Sequence, residues 1–341
     1  MRKSYPSWSL ILKEKKNFPS EFELIDRLFR PLAAANIGSA SLQDDCSTML
    51  LKQGYEALYT MDTLVEGIHF YREDPADLIA KKLLRVNLSD LAASGGKVRG
   101  NLLALSLPHQ VSLTWLESFV GGLREDQSKF NVCLLGGDTT STQGPITLSM
   151  TAIGEVPVNQ AVRRSGAKPG DDIYVTGCIG DAALALKLFE DLGREETLQN
   201  YPDLYEKYVL PDPPTTFGSM LPSVATACID ISDGFCADLA HICLASNVGA
   251  EVELAKIPLS VCAQQLIRTK KTYSELVFSG GDDYELLFTA KKDKRNLING
   301  FGRQSNTLLS RVGSIKHNEG VLILDRVGNE VLANSGGWQH F

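Results

Sequence analysis

Apolar runs of strand length alternate with helical patterns along most of this chain, and this alternation restricts its fold more than any other feature. The run Leu58–Ile68 precedes a helical pattern over 74–96, and a further strand is predicted at Ile146–Ile153. In the second half, the short strand Ile173–Val175 precedes a helix over Asp181–Leu192. Such alternation is typical of α/β and α+β folds. A length of 341 residues exceeds one ordinary core and predicts two domains.

The helix over 74–96 is the clearest element in the sequence. Asp74 is a suitable N-cap and is followed by proline, while a Gly-Gly pair provides the stop. The apolar stripe of this helix continues from Val86 to Asp90. A carboxylate on an inward face is costly unless it is paired or bound to a metal. Other elements are predicted at Ser112–Leu123 (helix) and at Val132–Leu135, Tyr284–Ala290 and Val321–Leu324 (strands).

Aspartates recur at the ends of strand-like runs and in glycine-flanked turns. They fall at six places, namely Asp44-Asp45, Asp62, Asp90, Asp138, Asp230 with Asp233, and Asp282-Asp283. Strand ends and loops are where α/β proteins usually assemble ligand sites. Each aspartate taken alone is explained as well by a turn or a helix cap, whereas their shared context favours a common site. Oxygen ligands without His or Cys clusters suit a hard cation such as Mg²⁺, which commonly bridges phosphates.

Glycine-rich turns are a second, weaker indication of phosphate binding. Thr176–Asp181 joins a predicted strand to a predicted helix, where free backbone N–H groups attract anions; a plain connecting turn is the equal alternative. Gly136-Gly137 and Gly280-Gly281 have the same two interpretations. The P-loop, protein-kinase and dinucleotide-binding signatures are missing from the sequence. A nucleotide would therefore have to bind through a less common fold.

Charge and cysteine usage narrow the possible partners. The net charge of −7 argues against nucleic acid and against anionic membrane surfaces. No apolar run reaches the roughly 18 residues of a membrane span, and Lys13, Lys15 and Lys16 interrupt the first apolar stretch, which argues against a secretory signal. Seven cysteines without a C-x-x-C pair indicate buried thiols in a reducing compartment. We therefore expect a cytoplasmic protein with no nucleic-acid or membrane partner.

Several segments resemble the thiamine-monophosphate kinase family, which belongs to the superfamily of aminoimidazole ribonucleotide synthetase and selenophosphate synthetase. The segments, in the family's order, are Asp44–Cys46, Met61–Phe70, Val86–Ala93, Gly136–Thr140, Arg164–Asp171, Asp230–Gly234, Ser279–Leu286 and Gly337–Phe341. The resemblance covers the chain from about residue 21 to its end and leaves out only the lead-in. The acidic segments are common to the superfamily, whereas Gly67–Phe70, Ser279–Leu286 and the aromatic ending favour the thiamine kinase branch.

The resemblance implies an α/β (α+β) fold of the aminoimidazole ribonucleotide synthetase type. After a lead-in over 1–19, a domain over 20–157 would bind ATP and Mg²⁺ and form a barrel with its copy in a homodimer. A second domain over 158–341 would close the active-site cleft. The implied reaction is direct in-line transfer of the γ-phosphoryl group of ATP to thiamine monophosphate, with several Mg²⁺ ions and no phosphoenzyme.

The resemblance also assigns roles to individual residues. The implied magnesium ligands and their neighbours are Asp45, Thr60, Met61, Asp62, Asp90, Asp138, Asp230 and Asp233, of which Asp90 and Asp233 would be catalytic. The implied ATP contacts are Gly137, Asp138, Arg164 and Ser232. The implied contacts to thiamine monophosphate are His69, Asp282 and Trp338. Either Asp44 or Asp45 remains open as the ligand of the first loop, because adjacent side chains in extended backbone face opposite ways.

A few positions depart from the family's pattern. Gln43 replaces a glycine, Met61 replaces a threonine, and Leu210–Pro214 lacks both arginines of an Arg-Pro-x-Pro-Arg segment; Trp338 stands where tyrosine is also common. No implied carboxylate ligand is lost, so an active enzyme is expected. The alternatives are another ATP-activating enzyme of the superfamily, or a non-catalytic binding protein for thiamine phosphate or a nucleotide.

Overall fold

The computed structural model describes residues 19–331 and builds them around two β-sheets. The first sheet consists of β1 (Tyr55–Val65), β2 (Lys97–Pro108), β3 (Leu134–Thr142) and β4 (Thr147–Pro157). The second consists of β5 (Asp172–Thr176), β6 (Ala225–Asp230), β7 (Gly249–Glu253), β8 (Leu286–Ala290), β9 (Leu309–Lys316) and β10 (Gly320–Leu324). This mixed α/β arrangement confirms the predicted fold class.

The α-helices are distributed along both halves of the chain. They are α1 (Glu21–Leu24), α2 (Arg30–Ala33), α3 (Ala76–Ala93), α4 (Leu113–Phe130), α5 (Asp181–Leu192), α6 (Arg194–Asn200), α7 (Pro202–Val209), α8 (Thr215–Gly218), α9 (Phe235–Ser246), α10 (Val261–Thr269), α11 (Leu276–Ser279) and α12 (Arg295–Ser305). A π-helical turn over Ile25–Phe29 joins the first two helices. A 3₁₀ segment over Ile37–Leu42 precedes β1.

The first sheet has the strand order β1-β4-β2-β3. Strand β4 runs antiparallel to both of its neighbours, and β3 runs parallel to β2. Helix α3 packs on one face of this sheet. On the opposite face Tyr59 and Met61 are 72% and 62% exposed. The four described strands form an open sheet within one chain, so a barrel built with a second copy stays a prediction.

The second sheet has the order β10-β7-β9-β5-β8-β6 and is mostly antiparallel. Its central strands β5 and β8 are buried at every position, because apolar side chains cover both faces. One face packs in a core with α5, α7 and α9. The other face contributes Tyr174 and Phe288 to a second core, which also contains Ala92 and Ala93 from the end of α3. Helix α3 therefore joins the two sheets.

The ends of α3 show one prediction confirmed and one wrong. The expected cap by Asp74 is wrong, because Pro75 occupies the N-cap and the Asp74 carboxylate instead accepts a hydrogen bond from the Tyr71 backbone N–H at 2.7 Å. The glycine stop is confirmed: Gly95 has a φ of +76°, and Gly96 N–H donates to the Leu91 carbonyl at 2.7 Å. This pattern is a Schellman motif, which needs a left-handed residue directly after the C-cap, here Ser94.

Two of the strand boundaries that differ from those predicted have a clear physical cause. Strand β3 begins at Leu134 and continues to Thr142, so the glycine pair lies inside the strand and does not form a turn before Asp138. A Cβ atom on Gly137 would lie 1.9 Å from the Leu103 carbonyl oxygen of β2, which explains glycine at this close approach. Strand β8 begins at Leu286, because Tyr284 has a φ of +51° and cannot continue an extended strand.

The burial of the cysteines agrees largely with the predicted buried, unpaired thiols. None of the seven cysteines forms a disulfide, and all seven lie within the described residues. Four are buried and two are half-buried, but Cys46 is exposed, so the prediction of uniformly buried thiols is wrong at this position. Among residues 19–331, no helix has the length and apolar character needed to cross a membrane.

Candidate active site

Three aspartates meet between β1, α3 and β6, although they are far apart in sequence. The Asp90 carboxylate accepts a short hydrogen bond from the Thr60 hydroxyl and contacts the carboxyl groups of Asp62 and Asp230. Thr60 and Asp62 point to the same face of β1 because side chains alternate along a strand. Asp90 lies opposite this face of β1. Its inward position on α3, which the sequence predicted, is therefore explained by its contacts with Thr60, Asp62 and Asp230.

Burial and mutual repulsion disfavour the ionised forms of these aspartates. Desolvation, with the Asp90 charge as a second cause, raises the pKa of Asp62 to about 7. Desolvation also raises the pKa of Asp90, and it raises that of the buried Asp230 well above its ordinary range. Three carboxylates crowded together in this way form an arrangement that a cation would stabilise.

Arg164 approaches this cluster from the segment before β5. It lines a cavity of about 590 Å³ together with Thr60, Asp90 and Asp230. Its charge lowers the pKa of Asp90, although desolvation and the Thr60 hydrogen bond have larger effects on that group. The Arg164 side chain is exposed, so its guanidinium is accessible to an anionic ligand.

A second cavity, of about 560 Å³, lies between the end of β1 with the loop that follows it and the turn before β8. It is lined by Asp62, His69, Tyr208, Ser232 and Asp282, among others. His69 is half-buried, and its Nδ1 atom accepts a hydrogen bond from the Val65 backbone N–H at 3.1 Å. We call this space the Asp282 cavity. It brings together two of the residues implied to hold thiamine monophosphate.

The loop between β6 and α9 carries Ser232 and Asp233 into the Asp282 cavity. The buried Asp238 holds this loop, because its Oδ2 atom accepts hydrogen bonds from the backbone N–H groups of Ser232, Asp233 and Gly234 at 3.2, 3.1 and 3.1 Å. Desolvation, followed by the charge of Asp233, raises the pKa of Asp238 to about 7. Ligand atoms of Asp233, Asp238 and His241 lie within 4.8 Å of one another.

A third cavity, of about 620 Å³, lies on the exposed face of the first sheet. It contains the implied ligands Asp45 and Asp138 with Met61 and Gly137. Asp44 lines the same cavity, so the choice between Asp44 and Asp45 stays open. Met61 lines both this cavity and the Asp282 cavity, which places the two on either side of the middle of β1.

The implied site residues thus fall into three adjoining groups around β1. Thr60, Asp62, Asp90, Asp230 and Arg164 form the central group; Asp45, Met61, Gly137 and Asp138 lie on the sheet face; His69, Ser232, Asp233 and Asp282 line the Asp282 cavity. Trp338 lies outside the described residues. The donor set of carboxylates and one hydroxyl suits Mg²⁺, and Met61 can contribute only its backbone carbonyl oxygen because a thioether is a poor ligand for this ion.

Sequence reasoning missed three residues that organise the site. Lys82 and Asp238 are buried, and Tyr284 donates from its hydroxyl to Asp282 Oδ1 at 3.0 Å. A signal existed for Lys82, which lies four residues before Val86 on the apolar stripe of α3 and interrupts it with a charge. The signal for Asp238 was a carboxylate in the first turn of a helix, where it can accept from free backbone N–H groups at the helix start.

Comparison with known proteins places this geometry in a family. Residues 43–156 match the family model described as AIR synthase related protein, N-terminal domain, and residues 168–324 match the corresponding C-terminal domain. The thiamine-monophosphate kinase of Caulobacter vibrioides is 35% identical over 325 residues, which cover 94% of this chain and 91% of that protein. The chain belongs to the thiamine-monophosphate kinase family.

Solved structures of thiamine-monophosphate kinases share this fold. The crystal structure of the kinase from Stenotrophomonas maltophilia K279a has a TM-score of 0.81 and 38% identity, covering 89% of this chain and 96% of its own. The structure of AaThiL complexed with AMPPCP and TMP has a TM-score of 0.75 and 27% identity, covering 94% and 97%. The family and the fold implied by the sequence are therefore confirmed.

Proposed function

We propose that this protein transfers the γ-phosphoryl group of ATP to the terminal phosphate of thiamine monophosphate, producing thiamine diphosphate and ADP. The observation that carries the proposal is the meeting of Asp62, Asp90 and Asp230 between cavities large enough for two ligands. Membership of the thiamine-monophosphate kinase family supports the same reaction, as does the relative complexed with AMPPCP, an ATP analogue, and TMP.

We assign the binding of Mg²⁺ to the carboxylates around β1. When bound there, Mg²⁺ would neutralise the phosphates of both substrates and the charge that develops during transfer. The residues that would hold it are Asp45, Asp62, Asp90, Asp138, Asp230 and Asp233, with the Thr60 hydroxyl and the Met61 carbonyl. Their chemistry fits the ion, because the central carboxylates are crowded and their pKa values are raised by burial in its absence.

The chain's own groups orient the two substrates. Arg164 is placed to pair with a nucleotide phosphate in the cavity beside Asp90. We assign Gly137 and Ser232, which line the two adjoining cavities, to the same substrate. His69 and Asp282 line the cavity that we assign to thiamine monophosphate, where a carboxylate beside a cationic thiazolium ring is favourable. A phosphate oxygen is already ionised near neutral pH and needs no strong general base, so positioning and electrostatics account for the catalysis.

We further propose that the enzyme is a cytoplasmic homodimer. The exposed face of the first sheet, which carries Tyr59 and Met61, supports an assembly through the domain over 20–157. The domain over 158–341 would then provide the other wall of the cleft. Light scattering on the purified protein measures the mass, and a monomeric mass at assay concentrations would refute the dimer.

The reaction is tested by incubating the protein with ATP, Mg²⁺ and thiamine monophosphate and separating the products by chromatography. We expect thiamine diphosphate and ADP in equal amounts, and only when Mg²⁺ is present. Formation of ADP without thiamine diphosphate would indicate a different acceptor. Binding of thiamine monophosphate without any ADP would indicate a non-catalytic binding protein.

The assignment of the carboxylates is tested by Asp90→Asn and Asp233→Asn. Each change keeps the shape of the side chain but removes a charged oxygen ligand, so we expect turnover to fall by at least about 100-fold while the fold is retained. The exposed Asp293 provides the control, because Asp293→Asn removes the same charge away from the site. Near-normal turnover in both site variants would refute the assignment.

A further inference from the structure

Lys82 is a buried cation to which the proposed chemistry gives no role. It lies on α3, and its side chain is 4% exposed. A lysine is rarely buried to this extent unless its ammonium group has partners. Its Nζ atom lies 2.9 Å from Asp282 Oδ2, 3.4 Å from the His69 carbonyl oxygen and 4.0 Å above the centre of the Tyr208 ring.

The carboxylate of Asp282, the ion-pair partner of Lys82, is fixed in one orientation. The Lys82 ammonium group binds Asp282 Oδ2, and the Tyr284 hydroxyl donates to Asp282 Oδ1 at 3.0 Å. Asp282 itself has a φ of +70°, an uncommon value for a residue with a side chain. The preceding Gly281 lies so close to Ser232 that a Cβ atom would be 2.0 Å from the Ser232 carbonyl oxygen. The Asp282 carboxylate is therefore fixed from both the backbone and the side chain.

Lys82 also contacts the opposite wall of the Asp282 cavity. The His69 carbonyl oxygen accepts from Lys82 Nζ at 3.4 Å and from the Tyr208 hydroxyl at 3.3 Å. His69 belongs to the loop after β1, whereas Tyr208 and Asp282 belong to the second half of the chain. One ammonium group thus joins both walls of the cavity without lining it.

We propose that Lys82 is a positioning residue for the phosphate acceptor, because it sets the distance between the His69 loop and the Asp282 carboxylate across the Asp282 cavity. This inference rests on the proposed function, which places thiamine monophosphate in that cavity. Lys82 acts through Asp282 and His69, so its loss affects the binding of this substrate. The binding of ATP stays nearly unchanged, because the recorded contacts of the Lys82 ammonium group are with His69, Asp282 and Tyr208 and not with the residues that we assign to ATP.

The experiment compares Lys82→Gln and Lys82→Met with Lys81→Met. Lys81 is the adjacent residue on the same helix, and its ammonium group pairs with Glu125 at 2.6 Å, away from the Asp282 cavity. We expect both Lys82 variants to raise KM for thiamine monophosphate about 10-fold or more, the range for losing a hydrogen bond to a charged group. KM for ATP and kcat should change less than about 3-fold, and Lys81→Met should change none of the three.

Calorimetric titration of thiamine monophosphate into each variant without ATP gives the same comparison independently of turnover. If the wild-type protein makes no thiamine diphosphate, the proposed function fails, while this titration still tests Lys82.

A double variant tests whether Lys82 acts through Asp282. In a protein that already carries Asp282→Asn, Lys82→Gln should weaken the binding of thiamine monophosphate less than about 2-fold, because the charged partner of Lys82 is gone.

Three results would overturn the inference. The first is Lys82 variants that behave like Lys81→Met. The second is an equal rise of KM for both substrates together with a fall in kcat, which would indicate a purely structural role. The third is full additivity of the Lys82 and Asp282 changes. Should Lys82→Met fail to fold, Lys82→Gln, which keeps a hydrogen-bond donor of similar length, decides between these results.

Discussion

Replacing Asp62 with asparagine should make the metal-free protein more stable while it removes activity. Asp62 stands beside Asp90 and Asp230, and desolvation followed by the Asp90 charge raises its pKa to about 7. The folded chain therefore resists ionisation of this group, whereas the unfolded chain does not. Asparagine has the same shape without the charge, so the substitution removes an unfavourable interaction and a ligand oxygen together.

The size of the effect follows from the pKa difference. Moving a carboxyl pKa from 3.8 to about 7 corresponds to about 4 kcal/mol. Asp62 is only partly buried, and solvent screening reduces this figure to about 2 kcal/mol. Between about pH 4 and pH 7 the folded state binds the proton more tightly than the unfolded state does, so wild-type stability falls as pH rises through this window. Asp62→Asn should therefore exceed the wild type by about 2 kcal/mol above pH 7 and by almost nothing near pH 4.

Urea denaturation with a chelator present measures this difference at several pH values, and Asp293→Asn is the control for loss of an exposed charge. Excess Mg²⁺ should then stabilise the wild type more than Asp62→Asn, because only the wild type retains the full set of ligands. A variant that is less stable than the wild type at pH 8 without metal would refute the argument from crowding. A variant that keeps full kinase turnover would refute the role of Asp62 as a ligand.

Two further substitutions test other features of the fold. In the buried ion pair of Arg85 with Asp126, the Nε and Nη2 atoms of Arg85 lie 2.6 and 2.9 Å from the carboxylate oxygens. Arg85→Met breaks this pair and should lower the free energy of unfolding, measured by urea denaturation, by about 3–5 kcal/mol. A loss below about 1 kcal/mol would contradict this expectation. Asp238→Ala removes the acceptor of three backbone N–H groups beneath Asp233, and it should lower kcat or the apparent Mg²⁺ affinity about 10–100-fold in steady-state assays. Unchanged kinetics would show that the loop keeps its shape without Asp238.

The sequence predicted long, strongly patterned elements well. The helix over Asp181–Leu192 has the predicted bounds, and the inward position of Asp90 on α3 followed from spacing alone. Strands β2 and β9 were not predicted, since their pairing with distant strands depends on partners that local pattern does not show. The strand boundaries at Gly136 and Tyr284 were wrong because glycine packing and left-handed backbone depend on tertiary contacts.

In the candidate site, too, the sequence predicted which residues take part but not which of them are in contact. Family resemblance named the aspartates, but it did not show that Asp62, Asp90 and Asp230 are in contact or that burial raises their pKa values. Lys82 and Asp282 are 200 residues apart, so their ion pair had no local signal beyond a charge on an apolar stripe. Asp74 was assigned to a helix cap, whereas a partner 120 residues away, Arg194, binds its carboxylate.

The position of α3 between the two sheets has a mechanical consequence. Arg85 on this helix donates to the Pro211 carbonyl at 2.9 Å, and a Cβ atom on Gly218 of α8 would lie 2.7 Å from Ala92. A hinge rotation of one half against the other would break these contacts together with the Lys82 pair. We therefore expect the two halves to stay locked on α3 while substrates enter and leave.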